Sequence, residues 1–384
     1  MPLDGGRVTD DARIRGALPA IEELRERGAR ILVCSHLGRP KEREPETSLA
    51  PVSQRLGELI GSGVRQSSEV VGEETRRQAD ALGEGEVLLL ENTRWEAGET
   101  ENDPDLAREL ASLAELHVND AFGTAHRAHA SNVGVADHIP SVAGPLLEHE
   151  VSTLTEVIED PDRPLVVVLG GAKVTDKIAL IERFMDIADA LLIGGAMAFT
   201  FFRAQGLSTG DSLVEEGEGV ETARRALESA ASSGFRLLLP TDLVLAERFD
   251  ADAERRELDG TEVPEGWMGL DIGAATAEAY GREIEGAATV FWNGPMGAFE
   301  LEPFAAGTRA VAESVAAARA KTVVGGGDSA SALAAFGLAE RVGHLSTGGG
   351  APLELLDGLP MPGVYALAYP LCRRPAPHPA LQPP

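Results

Sequence analysis

Short apolar runs alternate along the chain with longer segments in which apolar residues recur at helical spacing. The clearest run is Leu165–Leu169 (LVVVL), which is continuous and β-branched, as expected for a strand buried on both faces of a parallel sheet. Further strands are predicted at 30–34, 86–90, 116–119, 190–193, 236–239, 289–292, 322–324 and 343–345. Helices are predicted at 12–24, 49–61, 103–115, 145–160 and 220–233. This alternation predicts an α/β fold with parallel sheets.

A chain of 384 residues is too long for a single hydrophobic core, so two domains are expected. The helix predicted at 145–160 is followed by Pro161 and Pro164, which mark the exit of a connecting helix. We therefore expect an N-terminal domain at 1–145, an interdomain helix at 146–161 and a C-terminal domain at 162–345. The proline-rich stretch 370–384 is expected to be a disordered tail.

Composition excludes several classes of protein. Hydrophobic content of 43% and charged content of 25% are those of a globular domain, and no apolar run is long enough to span a membrane. Cys34 and Cys372 are too few for a disulfide framework and lack metal-site spacing, which favours a reducing cytoplasm. A net charge of −28 argues against nucleic acid and anionic membranes as partners.

The strand Leu165–Leu169 runs into two glycines and then a helix that carries Lys173 and Lys177. A strand, a glycine turn and a helix start favour an anion site, because unpaired backbone N–H groups and the helix dipole point towards it. The GGAKVTDK segment does not fit the P-loop pattern. Only four of the 34 basic residues are lysines, and two lie here, which favours phosphoryl chemistry. The alternative is an ordinary turn with solvated lysines.

Basic residues follow three predicted strands in the first half of the chain. His36 and Arg39 follow the first, Arg94 the second, and His126 with Arg127 the third. Arginines at strand ends are often surface residues. Because the carboxyl ends of parallel strands meet at one edge, and because the chain is strongly acidic, we expect these residues and Arg13 to form one anion pocket.

The second half presents glycine turns instead of arginines. Glycines follow the strands predicted at 190–193, 289–292 and 322–324, where backbone must approach a ligand closely. Asp328 follows three glycines and precedes a helix, which suits a Mg²⁺ ion carried in on a nucleotide. This half is therefore expected to bind a polyphosphate, a nucleoside and a metal.

These residues lie in motifs that resemble the phosphoglycerate kinase family over residues 2 to about 367. The motifs, in the order of the family, are DDARIRGALP, SHLGRP, LLLENTRW, NDAFGTAHRAHAS, GGAKVTDKI, WNGPMGAFE, GGGDSAS and STGGGAPLELL. The resemblance implies two Rossmann-like parallel-sheet domains that face a central cleft and are joined by a helical hinge. It implies direct in-line phosphoryl transfer between 1,3-bisphosphoglycerate and ADP as the cleft closes, giving 3-phosphoglycerate and Mg-ATP.

The resemblance also implies a role for individual residues. The phosphoglycerate would be bound by Arg13, His36, Leu37, Gly38, Arg39, Arg94, His126 and Arg127. The nucleotide would be bound by Lys177, Ala196, Gly269, Asn293, Glu300, Gly326, Gly327, Asp328 and Ser329, with Asp328 on the Mg²⁺. Arg13, Lys173 and Lys177 would act in catalysis. Residues 346–369 would return towards the N-terminal domain, and the protein would be a monomer.

Three departures from the family are visible. The family begins with a strand ending in D-x-N-x-P, which is absent before Pro2, so the first strand is expected to be missing here through a misassigned start. Ala196 replaces a glycine, and the tail has no family role. A non-catalytic nucleotide-binding homologue is one alternative. A dinucleotide-dependent oxidoreductase is another, but the chain lacks GxGxxG after a first strand.

Overall fold

The computed structural model describes residues 3–368 and divides them into two compact units. The first unit contains residues 3–152 together with 358–368, and the second contains residues 153–357. The division at 152/153 falls inside the helix predicted at 145–160. The tail predicted at 370–384 lies outside the described residues.

The first unit is built on short, mostly parallel strands. Its strands are Leu3–Asp4 (β1), Arg7–Val8 (β2), Ile31–Val33 (β3), Val64–Gln66 (β4), Val87–Leu89 (β5), His117–Asn119 (β6) and Ser141–Ala143 (β7). Its helices are Ala12–Glu26 (α1), Ala50–Ile60 (α2), Glu73–Asp80 (α3), Gly98–Glu101 (α4), Pro104–Ala111 (α5) and Pro145–Glu159 (α6), which continues into the second unit. Strands β3, β5 and β4 form a parallel sheet in that order, β6 and β7 form a parallel pair, and β1 and β2 form an antiparallel pair.

Strand β5 is buried on both faces of its sheet. Val87 and Leu89 pack with apolar residues of α1 and α2, whereas Leu88 packs with apolar residues of α3 and α5. Successive residues of a strand face opposite sides, so a strand covered by helices on both sides needs a continuous apolar run. This explains why the run in EVLLL has no polar alternation.

The second unit contains a larger parallel sheet and a small antiparallel one. Its strands are Leu165–Leu169 (β8), Ala190–Ile193 (β9), Arg236–Leu238 (β10), Leu243–Ala246 (β11), Arg255–Leu258 (β12), Met268–Ile272 (β13), Thr289–Asn293 (β14), Lys321–Gly325 (β15) and His344–Leu345 (β16). Its helices are Ile178–Ile187 (α7), Met197–Ala204 (α8), Glu218–Ser233 (α9), Ala274–Glu285 (α10), Ala306–Ala317 (α11), Gly327–Ala335 (α12) and Ala351–Leu356 (α13). Helix Pro362–Tyr365 (α14) belongs to the first unit.

The parallel sheet of the second unit has the order β10-β9-β8-β14-β15-β16. The chain builds outward from β8 through β9 and β10, then returns to the other side of β8 at β14. Residues Leu169 and Asn293 are paired, so β8 and β14 end level with each other. Ligands of such sheets bind at the carboxyl ends of the strands where the direction of building reverses. The point between β8 and β14 is therefore the expected ligand site, and we call it the switch point.

The antiparallel sheet β12-β11-β13 was not predicted from the sequence. Two of its three strands, β11 and β12, lie in a stretch where charged residues interrupt the apolar pattern. No helix within residues 3–368 is long and apolar enough to cross a lipid bilayer.

Candidate functional site

Basic side chains follow the carboxyl ends of strands β3, β5 and β6 in the first unit. His36 and Arg39 follow β3, and Arg94 lies in a short helical turn after β5. His126 and Arg127 follow β6, and Arg127 Nε donates to His126 Nε2 at 2.9 Å. We call these five residues and Arg13, near the start of α1, the basic cluster.

The charges of the basic cluster act on one another. Burial lowers the pKa of Arg94 below its usual value, and the charges of Arg127 and Arg39 lower it further. Burial lowers the pKa of His36 to about 3, and the charges of Arg94 and Arg13 add to this effect. The structure thus brings the predicted arginines together, while their role in substrate binding stays a prediction. At neutral pH His36 is uncharged, so the arginines carry the positive charge.

Asn92 holds the loop after β3 against the loop after β5. Its side chain is fully buried, and its Oδ1 accepts hydrogen bonds from the backbone N–H groups of Leu37 (3.2 Å) and Arg94 (3.1 Å). Its Nδ2 donates to the carbonyl oxygens of Leu37 (2.8 Å) and Thr47 (2.9 Å). Arg94 Nη1 in turn donates to the carbonyl oxygen of Gly38 at 2.6 Å. Asn92 was not predicted as a site residue, although it lies two residues before Arg94 in the same motif.

A buried carboxylate joins two further loops of the basic cluster. Glu99 is 1% exposed and accepts hydrogen bonds from Thr93 Oγ1 (3.2 Å), Ser131 Oγ (2.6 Å) and the Ser131 N–H (3.1 Å). His129 Nδ1 lies 3.7 Å from its Oε1. Burial raises the pKa of Glu99, although these hydrogen bonds and the charge of Arg94 oppose the shift. Glu99 therefore fixes the loop that carries Arg94 relative to the loop at 129–131.

The second unit brings together the turns that follow β8, β14 and β15, which we call the glycine turns (170–171, 293–297 and 325–329). Lys177 Nζ donates to the carbonyl oxygens of Gly170 (2.5 Å) and Asn293 (3.3 Å). Asn293 Nδ2 donates to the carbonyl oxygen of Gly325 at 2.8 Å. Each turn is therefore bonded to a neighbour, and together they form one site at the switch point.

Several positions in these turns admit only glycine, and Gly294 and Gly326 show why. Gly294 has a φ of +91°, and a Cβ there would lie 2.4 Å from the carbonyl oxygen of Gly170. Gly326 also has a φ of +91°, and a Cβ there would lie 2.4 Å from Asn293 Nδ2. A side chain at either position would separate the turns and adopt an unfavourable backbone conformation.

The two lysines after β8 have different surroundings. Lys173 is exposed, whereas burial lowers the pKa of Lys177 to about 8, an effect that the negative charges of Asp328 and Asp176 oppose. An anion placed near Lys177 would stabilise its charged form. The glycine turns therefore present a partly buried ammonium group that gains from a bound phosphate.

Asp328 is the residue best placed to hold a metal ion. It is exposed in the first turn of α12, and the metal-binding residues within 3–368 form no cluster of three or more. Mg²⁺ usually keeps several waters and binds one or two carboxylates together with phosphate oxygens. A single exposed carboxylate beside the glycine turns fits that chemistry.

The backbone amides at the start of the GGAKVTDK helix are not open to a ligand. Glu215 Oε2 accepts hydrogen bonds from the N–H groups of Val174 (2.8 Å) and Thr175 (3.0 Å). The expectation that these amides are unpaired is therefore wrong. The physical reason is a contact between residues 40 positions apart, which local sequence patterns do not reveal.

The four residues predicted to contact the nucleoside lie on different parts of the second unit, with Asn293 at the end of β14. Ala196 is the N-cap residue of α8, and Glu300 is exposed in the loop after β14. Gly269 is buried in β13, where its N–H donates to Ser212 Oγ at 2.9 Å, and a Cβ there would lie 2.0 Å from the ring of Phe199. Their part in a nucleoside pocket stays a prediction.

Buried polar groups that the sequence analysis missed anchor the far end of the turn after β14. Thr308 Oγ1 accepts hydrogen bonds from the N–H groups of Met296 (3.0 Å) and Gly297 (3.2 Å). Asp271 accepts one from the Gly307 N–H at 2.7 Å, and burial raises its pKa to about 7. The Thr308 bonds tie the turn to the start of α11, and the Asp271 bond ties β13 to the same helix start.

Comparisons with known proteins agree with this arrangement. The family model described as phosphoglycerate kinase matches residues 1–359. Curated phosphoglycerate kinases from Moorella thermoacetica and Thermosipho africanus are 53% and 52% identical to this chain, each over 96% of it and over 93% and 92% of their own lengths. The solved structure of phosphoglycerate kinase from Coxiella burnetii matches with a TM-score of 0.86 and 40% identity, covering 95% of this chain and 93% of that one. The family resemblance, the fold class and the expectation of a kinase are confirmed, and this chain belongs to the phosphoglycerate kinase family.

Proposed function

We propose that this protein transfers a phosphoryl group between 1,3-bisphosphoglycerate and ADP, giving 3-phosphoglycerate and ATP. The observation that carries the proposal is the presence, in a chain of this family, of a basic cluster in one unit and of lysine-bearing glycine turns in the other. The first arrangement suits a small phosphorylated acid, and the second suits a polyphosphate. A non-catalytic homologue is not supported by relatives that are about half identical over 96% of the chain.

In this proposal the first unit binds the phosphoglycerate. The arginines of the basic cluster neutralise its carboxylate and phosphate, with His36, His126 and the backbone of Leu37 and Gly38 completing the contacts. Arg13 stabilises the charge of the group in transfer. A carboxylate or phosphate oxygen attacks directly and in line, so positioning and charge neutralisation suffice and no general base is required.

The second unit binds the nucleotide. Lys177 and the N-terminal turn of α12 (Gly326, Gly327 and Ser329) hold the phosphates, and Lys173 assists in catalysis. The nucleoside contacts Ala196, Gly269, Asn293 and Glu300. Asp328 holds Mg²⁺, which neutralises phosphate charge when it is bound.

The proposal includes the organisation of the protein. Residues 1–145 and 162–345 serve as the two substrate-binding domains, with 146–161 as the hinge helix and 346–369 as the returning segment. The protein acts as a monomer in the cytoplasm. Size-exclusion chromatography with light scattering tests the first of these two statements, and a dimer mass would contradict it.

A coupled assay with 3-phosphoglycerate and Mg-ATP tests the reaction. The full chain should form ADP only when both substrates are present, and it should not reduce or oxidise a nicotinamide cofactor on its own. No phosphoryl transfer by the folded protein would refute the proposal.

Arg13→Ala tests the assignment of the two units, with Arg15→Ala as its matched control on the same helix, since Arg15 pairs with Asp11. Arg13→Ala should lower kcat by about 10²–10³-fold, as loss of one charge-stabilising donor does. It should leave the KM for Mg-ATP within about twofold. Equal losses in both variants, or a matching loss of Mg-ATP binding, would contradict the assignment.

A further inference from the structure

Two helical segments begin at the switch point, and their N-terminal ends differ. The segment after β8 starts with the turn Thr175–Lys177 and continues as α7, while α12 starts after β15. Both ends should attract anions, because first-turn amides lack helical partners and the helix dipole is positive there. At one of them a carboxylate of the chain itself already occupies the position.

That carboxylate belongs to Glu215. Its Oε2 lies 2.8 Å from the Val174 nitrogen and 3.0 Å from the Thr175 nitrogen, and its Oε1 accepts a hydrogen bond from Thr175 Oγ1. Burial alone would raise the pKa of Glu215, but these bonds and the charge of Lys173 outweigh it and leave the pKa below its usual value. Glu215 is therefore ionised at neutral pH, when its charge offsets the positive end of the segment.

Glu215 is held in place from two sides. Its own N–H donates to the hydroxyl of Thr200, a fully buried residue of α8, at 3.0 Å. Gly219, at the start of α9, packs against its side chain so closely that a Cβ there would lie 2.5 Å from Glu215 Cγ. A side chain at position 219 would therefore collide with Glu215, and the glycine leaves room for its side chain beside α9.

The N-terminal end of α12 is open by comparison. Its N-cap residue is Gly326, which has no side chain to cap the first turn, and a Cβ at Gly327 would meet nothing within 4 Å. In the part of the chain that the structure describes, no side chain bonds to the amides of Gly327 and Asp328. The charge of Asp328, in the first turn of α12, acts on Lys177.

We infer that Glu215 is a positioning residue whose carboxylate closes the helix end at 174–175 to anions, so that a polyphosphate is confined to the N-terminal end of α12 and Lys177. The identity of that polyphosphate as a nucleotide rests on the proposed function. The closure itself does not depend on it. Glu215 also keeps an opposite charge beside Lys173, which restricts where this exposed lysine can reach.

The test measures binding of inorganic phosphate to the full chain through the shift of thermal unfolding with phosphate concentration. The variants are Glu215→Ala, Glu215→Gln and the matched control Glu216→Gln, whose side chain is exposed and pairs with Arg203 at 3.3 Å. Glu215→Ala should bind phosphate about 5-fold or more tightly than wild type, because an anion can then reach the freed amides. Glu215→Gln should show a smaller gain of about twofold, and Glu216→Gln should match wild type.

A merely structural role for Glu215 would lower the unfolding temperature without changing phosphate affinity. If folded Glu215→Ala and Glu215→Gln both bind phosphate no better than wild type, the inference is overturned. If Glu215→Ala does not fold, the phosphate affinity of Glu215→Gln is compared with that of Glu216→Gln, and equal affinities overturn the inference. Kinase activity is measured on the same wild-type sample, so its absence would refute the proposed function while leaving the phosphate result to judge Glu215.

Discussion

In the proposed function the two units bind the same kind of ligand, a phosphorylated anion, in opposite ways. In the first unit charge is supplied by guanidinium groups of the basic cluster, which buried polar side chains such as Asn92 and Glu99 hold in place. In the second unit the glycine turns present backbone, and a single ammonium group, that of Lys177, is fixed between carbonyl oxygens. The first site depends on which side chains are present, and the second depends on where side chains are absent.

Because of this difference, mutations in the two units are expected to have different effects on binding and turnover. In the first unit several arginines are proposed to bind the same substrate. Loss of a residue that supports their loops should therefore displace several of these arginines together. In the second unit Lys177 has no equivalent neighbour inside the turns, since Lys173 is exposed. Loss of that one charge should therefore have the larger effect on turnover.

Lys177→Ala is expected to lower kcat by about 10²–10³-fold, as much as Arg13→Ala and more than the loss of a supporting residue, because the transferring phosphoryl group loses its charge partner. The KM for 3-phosphoglycerate should stay within about twofold. Steady-state kinetics measure both. Lys321→Ala is the matched control, since this lysine pairs with Glu156 on the same unit. A comparable fall in kcat in the control would contradict a specific role for Lys177.

Asn92→Ala should raise the KM for 3-phosphoglycerate by about 10–100-fold, because both loops that it joins lose their register and small displacements of binding groups are costly. It should also lower the free energy of unfolding by about 1–3 kcal/mol through unpaired backbone groups, as urea titration would show.

Its counterpart in the second unit is Asn293→Ala, which removes the bond to Gly325. That variant should raise the KM for Mg-ATP and leave the KM for 3-phosphoglycerate within about twofold. If Asn92→Ala or Asn293→Ala raised the KM for both substrates equally, the two sites would not be held in place independently of each other.

The pH dependence of binding should also differ between the units. Burial lowers the pKa of Lys177 to about 8, and a bound phosphate would raise it again, so ADP affinity is highest below pH 8 and falls above it. Calorimetry should show ADP binding about 10-fold weaker at pH 9 than at pH 7. Affinity for 3-phosphoglycerate should hold within about twofold, because arginines stay charged. Lys177→Arg should remove the pH dependence of ADP affinity. If that variant kept the wild-type pH dependence, a group other than Lys177 would cause it.

The smallest expected effect concerns an arginine just outside the basic cluster. Arg43 is exposed and pairs with Glu96 at 2.8 Å, a surface ion pair of about 0–1 kcal/mol. Arg43→Ala should change the KM for 3-phosphoglycerate by less than about twofold, whereas Arg39→Ala should raise it clearly. A large rise in KM for Arg43→Ala would show that Arg43 also belongs to the basic cluster.

The sequence was most informative where burial and local pattern coincide. Strand β8 and helix α6 lie where apolar periodicity predicts them, and His36, Arg39 and Arg94 follow the neighbouring parallel strands β3 and β5, which end at a common edge. His126 and Arg127 follow β6, which pairs with β7 outside that sheet, so a common edge does not explain their position. Strands β4 and β7 were not predicted, since VRQ and SVA are short and only partly apolar. Pattern alone does not identify such strands, because tertiary packing selects them.

The residues that support the two sites could not be predicted from local sequence patterns for another reason. Asn92 bonds to Leu37 across 55 residues, and Glu215 bonds to Thr175 across 40. Each is an ordinary polar residue whose role arises only when the fold brings distant loops together. Local sequence patterns therefore pointed to charged residues that we propose as ligand contacts, and they did not point to the neutral or oppositely charged residues that hold them.

The position of the tryptophans has a spectroscopic consequence. Trp95 directly follows Arg94 and donates its indole N–H to Thr47 Oγ1 at 2.8 Å, and it is the only tryptophan of the first unit. Trp292 directly precedes Asn293 and is fully buried in β14. Replacing Trp95 or the two tryptophans of the second unit by phenylalanine would leave fluorescence from one unit alone. Emission could then report, in real time and without labels, which half of the enzyme a ligand has reached.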